Sequence, residues 1–205
     1  GGDQDVLARL GALSALDFAP GSRYRHTRTD YVLLGLVIER ASGMSLPVYL
    51  DLFVFQPLGM NNTQLHEPQR GSQVSRRALG YAGSPGQWSP VGEDGTRGDG
   101  GVYSNIDDLA KWENALHGNQ LLDATARTAL ISRQIAVGGD PGQDGEGYGW
   151  HIAGNLVWQE ERGHGFHHVI IQWPDAQLTV ILLSNRASDD VRADALAIGQ
   201  AYLAE

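Results

Sequence analysis

The single lysine of this 205-residue chain, Lys111, limits the covalent chemistry that the sequence offers. Activation of a serine by a lysine requires the pattern Ser-x-x-Lys, because the amine helps the hydroxyl lose its proton before it attacks a carbonyl. Residue 108 is Asp108, so this pattern is absent. The alternative serine motif, Gly-x-Ser-x-Gly, is absent too, since its nearest approach around Ser84 has Ala82 in place of the first glycine.

Histidine is the remaining side chain that titrates near neutral pH, and the positions of four histidines bear on acid and base catalysis or on metal binding. His26 follows a Pro-Gly turn, while His164, His167 and His168 lie close together in the sequence. On a strand, His164 and His168 fall on one face and His167 on the other, so we expect no metal site. We also expect no cofactor, because the phosphate-binding glycine motifs are missing.

The composition predicts an acidic globular protein with one domain over residues 1–205. A formal charge of -9 argues against nucleic-acid binding, which needs a basic face. The longest apolar run, Tyr31 to Ile38, is much shorter than the ~20 residues that cross a bilayer, so no membrane segment is expected. There is no cysteine, and the first ten residues do not resemble a signal peptide.

Helical patterns occupy much of the chain before residue 135. Apolar residues recur at helical spacing from Asp3 to Leu16. A second helix is predicted to begin at a capping box of Thr27 and Asp30, to end at Gly43 and to be mostly buried. Further helices are predicted from Ser45 to about Phe53, over Ile106–His117 with Ser104 as its cap, over Thr125–Gln134, and over Asp189–Leu203.

Strand patterns dominate from residue 148 onward. β-rich runs alternate with turn sequences there, which is typical of an antiparallel meander. The stretch from Asn61 to Gly101 is rich in Gly, Pro and Ser, and we expect a loop with short strands that shapes a binding site. The predicted strands are Tyr148–Ile152, Leu156–Glu161, Phe166–Trp173 and Leu178–Ser184.

Long segments of the chain resemble one family. The run from Phe18 to Thr63 resembles the middle of serine β-lactamases and of penicillin-binding-protein-like esterases and peptidases. Gly98–Gly118 is similar to that family's Gly-Gly-x-x-Ser-x-x-Asp-Leu segment, and YGWHI, GHGF, WPD and VILLSN resemble its C-terminal strands. The resemblance implies an α+β fold with an antiparallel β-sheet flanked by helices on both faces. The family's N-terminal strands and Ser-x-x-Lys helix have no counterpart here.

The resemblance implies candidate residues in the first half of the chain. The family carries Tyr-x-Asn just after its Pro-Gly segment, where this chain has His26, Thr27 and Arg28. His26 is the candidate catalytic acid or base, and Thr27 and Arg28 are candidate substrate-binding residues. The literal Tyr-x-Asn at residues 103–105 lies in a different family segment and is set aside.

The second group of candidates lies between two predicted strands. The family's His-x-Gly, on the strand beside its active site, is similar to His164 and Gly165, with Phe166 in place of the second glycine. The glycine-rich loop that follows it in the family is shortened here. His164 is thus a second catalytic candidate, and Gly165 and Phe166 are candidate substrate-binding residues.

Three functions are compatible with these patterns. The chain is the C-terminal portion of a β-lactamase-like serine hydrolase, acting on an ester, amide or β-lactam through an acyl-enzyme. Alternatively, it is a catalytically dead pseudohydrolase that binds a peptide, ester or cell-wall fragment. In the third hypothesis, His26 and His164 perform a rebuilt hydrolysis, with or without the help of a metal.

The resemblance also bears on partners and location. In the family, the N-terminal strands pair with the C-terminal meander, so their absence would uncover a sheet edge. We therefore expect a homodimer through the exposed edge, or completion of the sheet, besides a small-molecule or peptide ligand. The resemblance favours a periplasmic or secreted location, and the sequence itself leaves the compartment open.

Overall fold

The computed structural model describes residues 2–67, 71, 73–92, 97–137 and 142–204. The chain divides into two compact units: Gly1–Arg77 with Glu93–Trp112, and Ala78–Gly92 with Glu113–Glu205. The first unit is mainly helical, and the second contains a six-stranded antiparallel sheet. The α+β class expected from the sequence is therefore confirmed, while one domain over residues 1–205 stays a prediction.

Three helices form most of the first unit: α1 (Asp3–Gly11), α2 (Arg28–Ser42) and α3 (Leu46–Leu50), which continues as a π-helical turn over Asp51–Phe55. Helix α1 ends five residues earlier than predicted. Helix α2 ends as predicted, because Gly43 adopts the left-handed conformation (φ 72°) and donates its N–H to the Glu39 carbonyl.

Two expectations for α2 are wrong. The Thr27 side chain makes no capping hydrogen bond, although Thr27 is the N-cap residue. The helix is also not mostly buried: only Val32 and Gly35 are, whereas Leu34 is 56% and Val37 61% exposed. Its apolar residues extend around more of the helix than the face that packs within this unit.

None of the described helices is by itself long and apolar enough to cross a membrane. The pair Arg28–Ser42 and Leu46–Phe55 meets the length and composition criteria only in combination, across a bend of 77°.

Helix α4 (Ile106–His117) follows a short antiparallel pair, β1 (Gln64–Leu65) with β4 (Val102–Tyr103). Its bounds are those predicted, but its cap is not. Asn105 Oδ1 accepts the Asp108 N–H at 2.9 Å, so Asn105 is the capping side chain. Ser104 instead shares a 2.8 Å hydrogen bond with the hydroxyl of Thr63.

The sheet of the second unit has the strand order β10-β9-β8-β7-β6-β5. The predicted strands are present, with shifts of up to three residues at some ends. The first two strands were not predicted, because each is two residues long and carries no alternating apolar pattern. The bounds are β5 Ile135–Ala136, β6 Gly145–Glu146, β7 His151–Ala153, β8 Leu156–Gly163, β9 Phe166–Trp173 and β10 Leu178–Ser184.

Helices lie on both faces of this sheet, as expected. Helix α6 (Val191–Leu203) covers one face, where Gly199 allows the Trp173 ring within 2.1 Å of the position that a Cβ would take. On the opposite face, Gln172 Nε2 donates to Glu113 Oε2 of α4 at 2.6 Å. Helix α5 (Ala124–Ile131) follows α4. The core beneath α6 consists of Trp158, Val169, Ile171, Trp173, Val191 and Ala195.

A separate hairpin completes the second unit. Strands β2 (Tyr81–Ser84) and β3 (Gln87–Pro90) pair with each other. They fall inside the Asn61–Gly101 stretch, for which the sequence predicts a loop with short strands, and the described residues of that stretch agree.

Candidate functional site

The first group of candidate residues lies where α2 begins. Thr27 has an extended backbone (φ -137°, ψ 140°) as N-cap, and Arg28 is the first helical residue. The His26 side chain is exposed, and its ring centre lies 5.6 Å from that of Tyr31, one turn into the helix. Thr27 and Arg28 are half-buried. The three candidates are thus held at one helix terminus.

A glycine-containing loop packs closely against this end of α2. Gly98 has φ 91°, and a Cβ at this residue would lie 2.3 Å from the Tyr31 carbonyl oxygen. Only glycine fits this backbone conformation and this contact. The neighbouring Arg97 carbonyl approaches Gly35 of the same helix. The start of α2 is thereby buttressed by residues 97–98.

Arg97 anchors this loop through three carboxylates. Its guanidinium donates to Asp3 Oδ2 (2.7 Å), Glu39 Oε1 (3.0 Å) and Glu67 Oε1 (3.0 Å), joining α1, α2 and the segment after β1. Burial alone would lower the pKa of Arg97, but the hydrogen bond and charge of Asp3 and the other two carboxylates raise it. Nothing in the sequence pattern signalled this cluster, because its members lie far apart along the chain.

Lys111 has a structural partner in the residue at the serine position. Asp108 is fully buried and accepts hydrogen bonds from Lys111 Nζ (2.8 Å), the Asn62 N–H (2.7 Å) and the Thr63 hydroxyl (2.9 Å). Burial alone would raise the pKa of Asp108, but these hydrogen bonds and the lysine charge lower it. Lys111 also donates to the Gly59 carbonyl at 2.6 Å.

The second group of candidates forms the turn between β8 and β9. Gly163 pairs with Phe166, so His164 (φ 49°) and Gly165 (φ 79°) form a two-residue turn. Positive φ at both residues is the type I′ arrangement that suits a tight hairpin. The loop that the sequence analysis expects to be shortened is therefore only two residues long. His164 lies in this turn and not on the strand.

This turn contacts the β2–β3 hairpin through Gly80. A Cβ on Gly165 would lie 2.3 Å from both Gly80 C and Tyr81 N, and a Cβ on Gly80 would lie 2.1 Å from the His164 carbonyl oxygen. The Tyr81 N–H donates to the carbonyls of Gly165 and Asn185, each at 2.9 Å. His164 Nδ1 lies 3.3 Å from the Gly92 carbonyl oxygen. The turn is thus fixed by backbone contacts.

Strand β8 is paired on both sides over only part of its length. Strand β9 pairs with Val157–Gly163, whereas β7 pairs with only Leu156–Trp158. Among the described residues, no strand pairs with the outer side of Gln159–Gly163. This half-open edge leads directly into the His164 turn, and an extended chain can add to such an edge through backbone hydrogen bonds.

The adjacent histidines of β9 have different surroundings. His167 is fully buried, with Nε2 2.7 Å from Glu160 Oε1 and Nδ1 bonded to the Asp189 carbonyl. Burial and the charge of His167 lower the pKa of His168, and His168 Nδ1 has no hydrogen-bond partner among the described residues. In the described part of the chain, no group of three or more His, Asp or Glu residues is arranged to hold a metal ion.

Glu113 is a buried titratable group that sequence reasoning missed. Its Oε2 accepts from Gln172, and its buried Oε1 has no partner in the described residues. Burial raises the pKa of Glu113 to about 7, and the Gln172 hydrogen bond only partly opposes this. The nearby 150 Å³ cavity between α4, α5 and β9 is lined by Leu116, His117, Arg127, Thr128, Leu130, Ile131 and Gln172.

Comparisons with known proteins concern the chain as a whole. A family model described as Beta-lactamase matches residues 2–203. Penicillin-binding protein 4* of Bacillus subtilis (strain 168) is 27% identical over 190 residues, which are 84% of this chain and 42% of that protein. D-aminopeptidase of Brucella anthropi is 31% identical over 124 residues, which are 60% of this chain and 22% of that protein.

Solved structures show the same relationship. The octameric penicillin-binding protein homologue from Pyrococcus abyssi has a TM-score of 0.82 at 26% identity, over 96% of this chain and 48% of that one. The chain therefore spans less than half the length of several proteins that it matches. Because the family model covers nearly every residue, the chain belongs to the β-lactamase family of penicillin-binding-protein-like serine hydrolases.

Proposed function

We propose that this chain forms the substrate-binding part of a serine hydrolase that transfers an acyl group from an amide, ester or β-lactam to water. The serine nucleophile is supplied by polypeptide outside these 205 residues. In this reaction the serine oxygen bonds to the carbonyl carbon as its own proton leaves. The bond from that carbon to the amine or alcohol breaks and the leaving atom takes up a proton; in a β-lactam the amine stays attached through the opened ring. Water then cleaves the acyl-serine ester and releases the acid.

The observation that carries the proposal is the half-open edge of β8. Beyond Trp158 no strand of the described chain pairs with the outer side of β8, and this side ends at His164 and Gly165. His164 is the proposed polar group beside the substrate, and Gly165 and Phe166 shape the end of the groove. A peptide or amide substrate matches this edge best, because its backbone can pair along the strand.

We propose a separate role for the residues at the start of α2. His26 is the proposed acid or base, because its imidazole side chain is exposed and so can be reached by substrate or water. Thr27 and Arg28 are the proposed substrate-binding residues beside it.

Exposed apolar side chains of the first unit support the proposal that the nucleophile lies on a segment outside these 205 residues. Leu34 and Val37 of α2, Val48 of α3, and Leu52 and Phe53 of the π-helical turn are each 45–61% exposed. Helices of water-soluble proteins usually bury such residues against another element. We propose that the segment carrying the nucleophile covers this surface.

Lys111 is excluded from the proposed mechanism by its surroundings. Its amine is bonded to Asp108 and to the Gly59 carbonyl, and it neutralises a fully buried carboxylate. An activating lysine must instead contact the hydroxyl of a nucleophilic serine.

The second candidate function is a pseudohydrolase that binds a peptide, ester or cell-wall fragment without cleaving it. Arg28 favours it, because a guanidinium stands where the family carries a neutral amide.

Intact-mass spectra of the natural protein, recorded with and without a fluorophosphonate probe for activated serines, test the proposal. We expect a mass above 22.1 kDa with a single adduct, whereas the 205-residue chain alone gives no adduct. A natural protein of 22.1 kDa that binds ligand without any adduct would establish the pseudohydrolase. Labelling of a serine within the 205 residues would contradict a nucleophile located elsewhere.

A further inference from the structure

The cavity of 150 Å³ between α4, α5 and β9 is formed by residues of the second compact unit alone. Its apolar wall consists of Leu116 of α4 and of Leu130 and Ile131 of α5. Strand β9 is paired with a neighbouring strand on both sides. The cavity therefore lies against a face of the sheet and not at an unpaired edge.

The volume of this cavity sets the size of a ligand. An aliphatic cavity of about 150 Å³ holds a molecule as large as benzene. Leu116 and Gln172 are buried, whereas His117 and Thr128 are exposed, so the cavity runs from the protein surface to the sheet. An apolar group of about six carbons can therefore enter it from solvent.

Arg127 of α5 gives this cavity a positive charge. Its Nη1 donates to the Gly118 carbonyl and to Asn119 Oδ1 (2.6 Å for the latter), which uses two of the five guanidinium N–H groups. Within the described chain, no carboxylate pairs with Arg127, and the N–H groups of Nε and Nη2 meet no protein acceptor. The two oxygens of a carboxylate match such a pair of donors.

The polar floor of the cavity does not oppose an anion. Gln172 Nε2 donates to Glu113 Oε2 at 2.6 Å, and Glu113 lies one helical turn before Leu116 and His117 on the same face of α4. An ionised Glu113 behind this floor would repel a carboxylate. Burial raises the pKa of Glu113 to about 7, so this carboxyl group is protonated at pH 6. Arg127 then determines the sign of the charge at the cavity.

We propose that this cavity binds a small monocarboxylate with an apolar body of about six carbons, of which benzoate is an example. The carboxylate pairs with Arg127, and the apolar body packs against Leu116, Leu130 and Ile131. Binding sites for small molecules commonly combine apolar walls with a few polar groups that fix the orientation of the ligand.

This site is separate from the edge proposed to bind the hydrolase substrate. Gln172 lies six residues after Phe166 on β9, which is about 20 Å along the strand from the His164 turn. The inference therefore does not depend on the proposed hydrolase function or on the position of the serine nucleophile.

Titration of the ¹⁵N-labelled 205-residue chain with benzoate at pH 6, followed by amide chemical shifts, tests the proposal. We expect saturable shifts at the residues that line the cavity and a dissociation constant of about 1 mM or below. Benzamide has nearly the same shape without the charge and should bind at least about tenfold more weakly. Arg127→Met should remove this preference for benzoate. Arg9→Met is the matched control, because Arg9 is exposed on α1, and it should keep the preference.

A second pair of variants tests the cavity itself. Thr128→Phe places an aromatic ring at the mouth and should abolish binding of both ligands. Thr125→Phe introduces the same ring at an exposed position of α5 that does not line the cavity, and it should bind benzoate like the unmodified chain. Circular dichroism checks that each variant is folded, and this pair decides the question if Arg127→Met does not fold.

Three results would overturn the proposal. The first is the absence of saturable shifts at the cavity, or equal affinities of the unmodified chain for benzoate and benzamide. The second is equal benzoate binding by Thr128→Phe and Thr125→Phe. The third is loss of benzoate binding in a longer natural protein, because a further segment would then occupy or cover the cavity.

Discussion

At the scale of single residues, Glu113 makes stability depend on pH. Its pKa is about 7 in the folded chain against 4.5 for an ordinary glutamate, so the folded state binds the proton more tightly. The stabilisation from this proton is complete below pH 4.5 and is lost as the pH rises through 7. Glu113→Gln should therefore raise the free energy of unfolding at pH 8 by up to about 3 kcal/mol and flatten its pH dependence.

Urea denaturation of both proteins at pH 5 and pH 8 measures this effect. Asp175→Asn is the control, because it removes the same charge from an exposed turn and should change neither value by more than ~0.5 kcal/mol. Equal stability of Glu113→Gln and the unmodified chain at pH 8 would show that Glu113 is solvated instead of buried.

Lys111 provides a second prediction at this scale. Lys111→Met should lower the free energy of unfolding by about 1–2 kcal/mol at pH 7, because it removes the cation bonded to buried Asp108 while Asn62 and Thr63 still donate. Lys111→Arg, which keeps the charge, should lose less. If Lys111→Met instead abolished fluorophosphonate labelling of the natural protein without loss of stability, the lysine would be catalytic.

At the scale of elements, the β7–β8 and β8–β9 turns of the meander can be compared directly. Gly165 and Gly154 both have positive φ, but a Cβ on Gly154 meets nothing within 4 Å, whereas one on Gly165 meets the backbone of Gly80 and Tyr81. Gly154→Ala should cost about 1 kcal/mol from backbone strain alone. Gly165→Ala should cost roughly 2–4 kcal/mol, because the β2–β3 hairpin must also move.

Thermal denaturation compares the two variants, and amide exchange at Tyr81 reports release of the hairpin. Faster exchange in Gly165→Ala than in Gly154→Ala is the expected result. If the free energy of unfolding fell equally in both variants, backbone strain alone would explain the change. The close contact of Gly165 with Gly80 and Tyr81 would then contribute nothing to stability.

Elements with strong local signals were predictable from the sequence. Helix α4 and strands β9 and β10 have the predicted bounds, because glycine or turn residues end them and their apolar spacing is regular. Thr27 shows the limit of this reasoning: a capping sequence is present, but the side chain does not form the bond. Contacts such as Arg97 with Asp3 join residues 94 apart in sequence, and local patterns contain no information about them.

For the whole molecule, the exposed apolar surface of α2 yields a prediction about the natural protein. Leu34→Gln should change the stability of the 205-residue chain by less than ~0.5 kcal/mol, since Leu34 is 56% exposed. In a longer natural protein whose additional segment covers α2, the same substitution should cost about 2 kcal/mol. Denaturation of both forms measures the difference, and Leu203→Gln is the control with small effects in each.

The family and fold class were also predictable at this scale, because long segments such as residues 18–63 carry the resemblance. The division into two compact units was not predictable from the sequence, since each unit is built from two separate stretches of the chain. Residues 78–92 join the second unit through Gly80, whose role depends on a turn more than 80 positions later.

The contact between Gly80 and Gly165 limits how the sequence can change during evolution. A Cβ on Gly165 would meet the backbone of Gly80, and a Cβ on Gly80 would meet the carbonyl oxygen of His164 in the same turn, so a side chain gained at either position alone forces the backbone to move. Divergence at these two positions should therefore be coupled: descendants of this sequence that keep the two-residue turn keep both glycines, and those that lengthen the turn are free to lose both together.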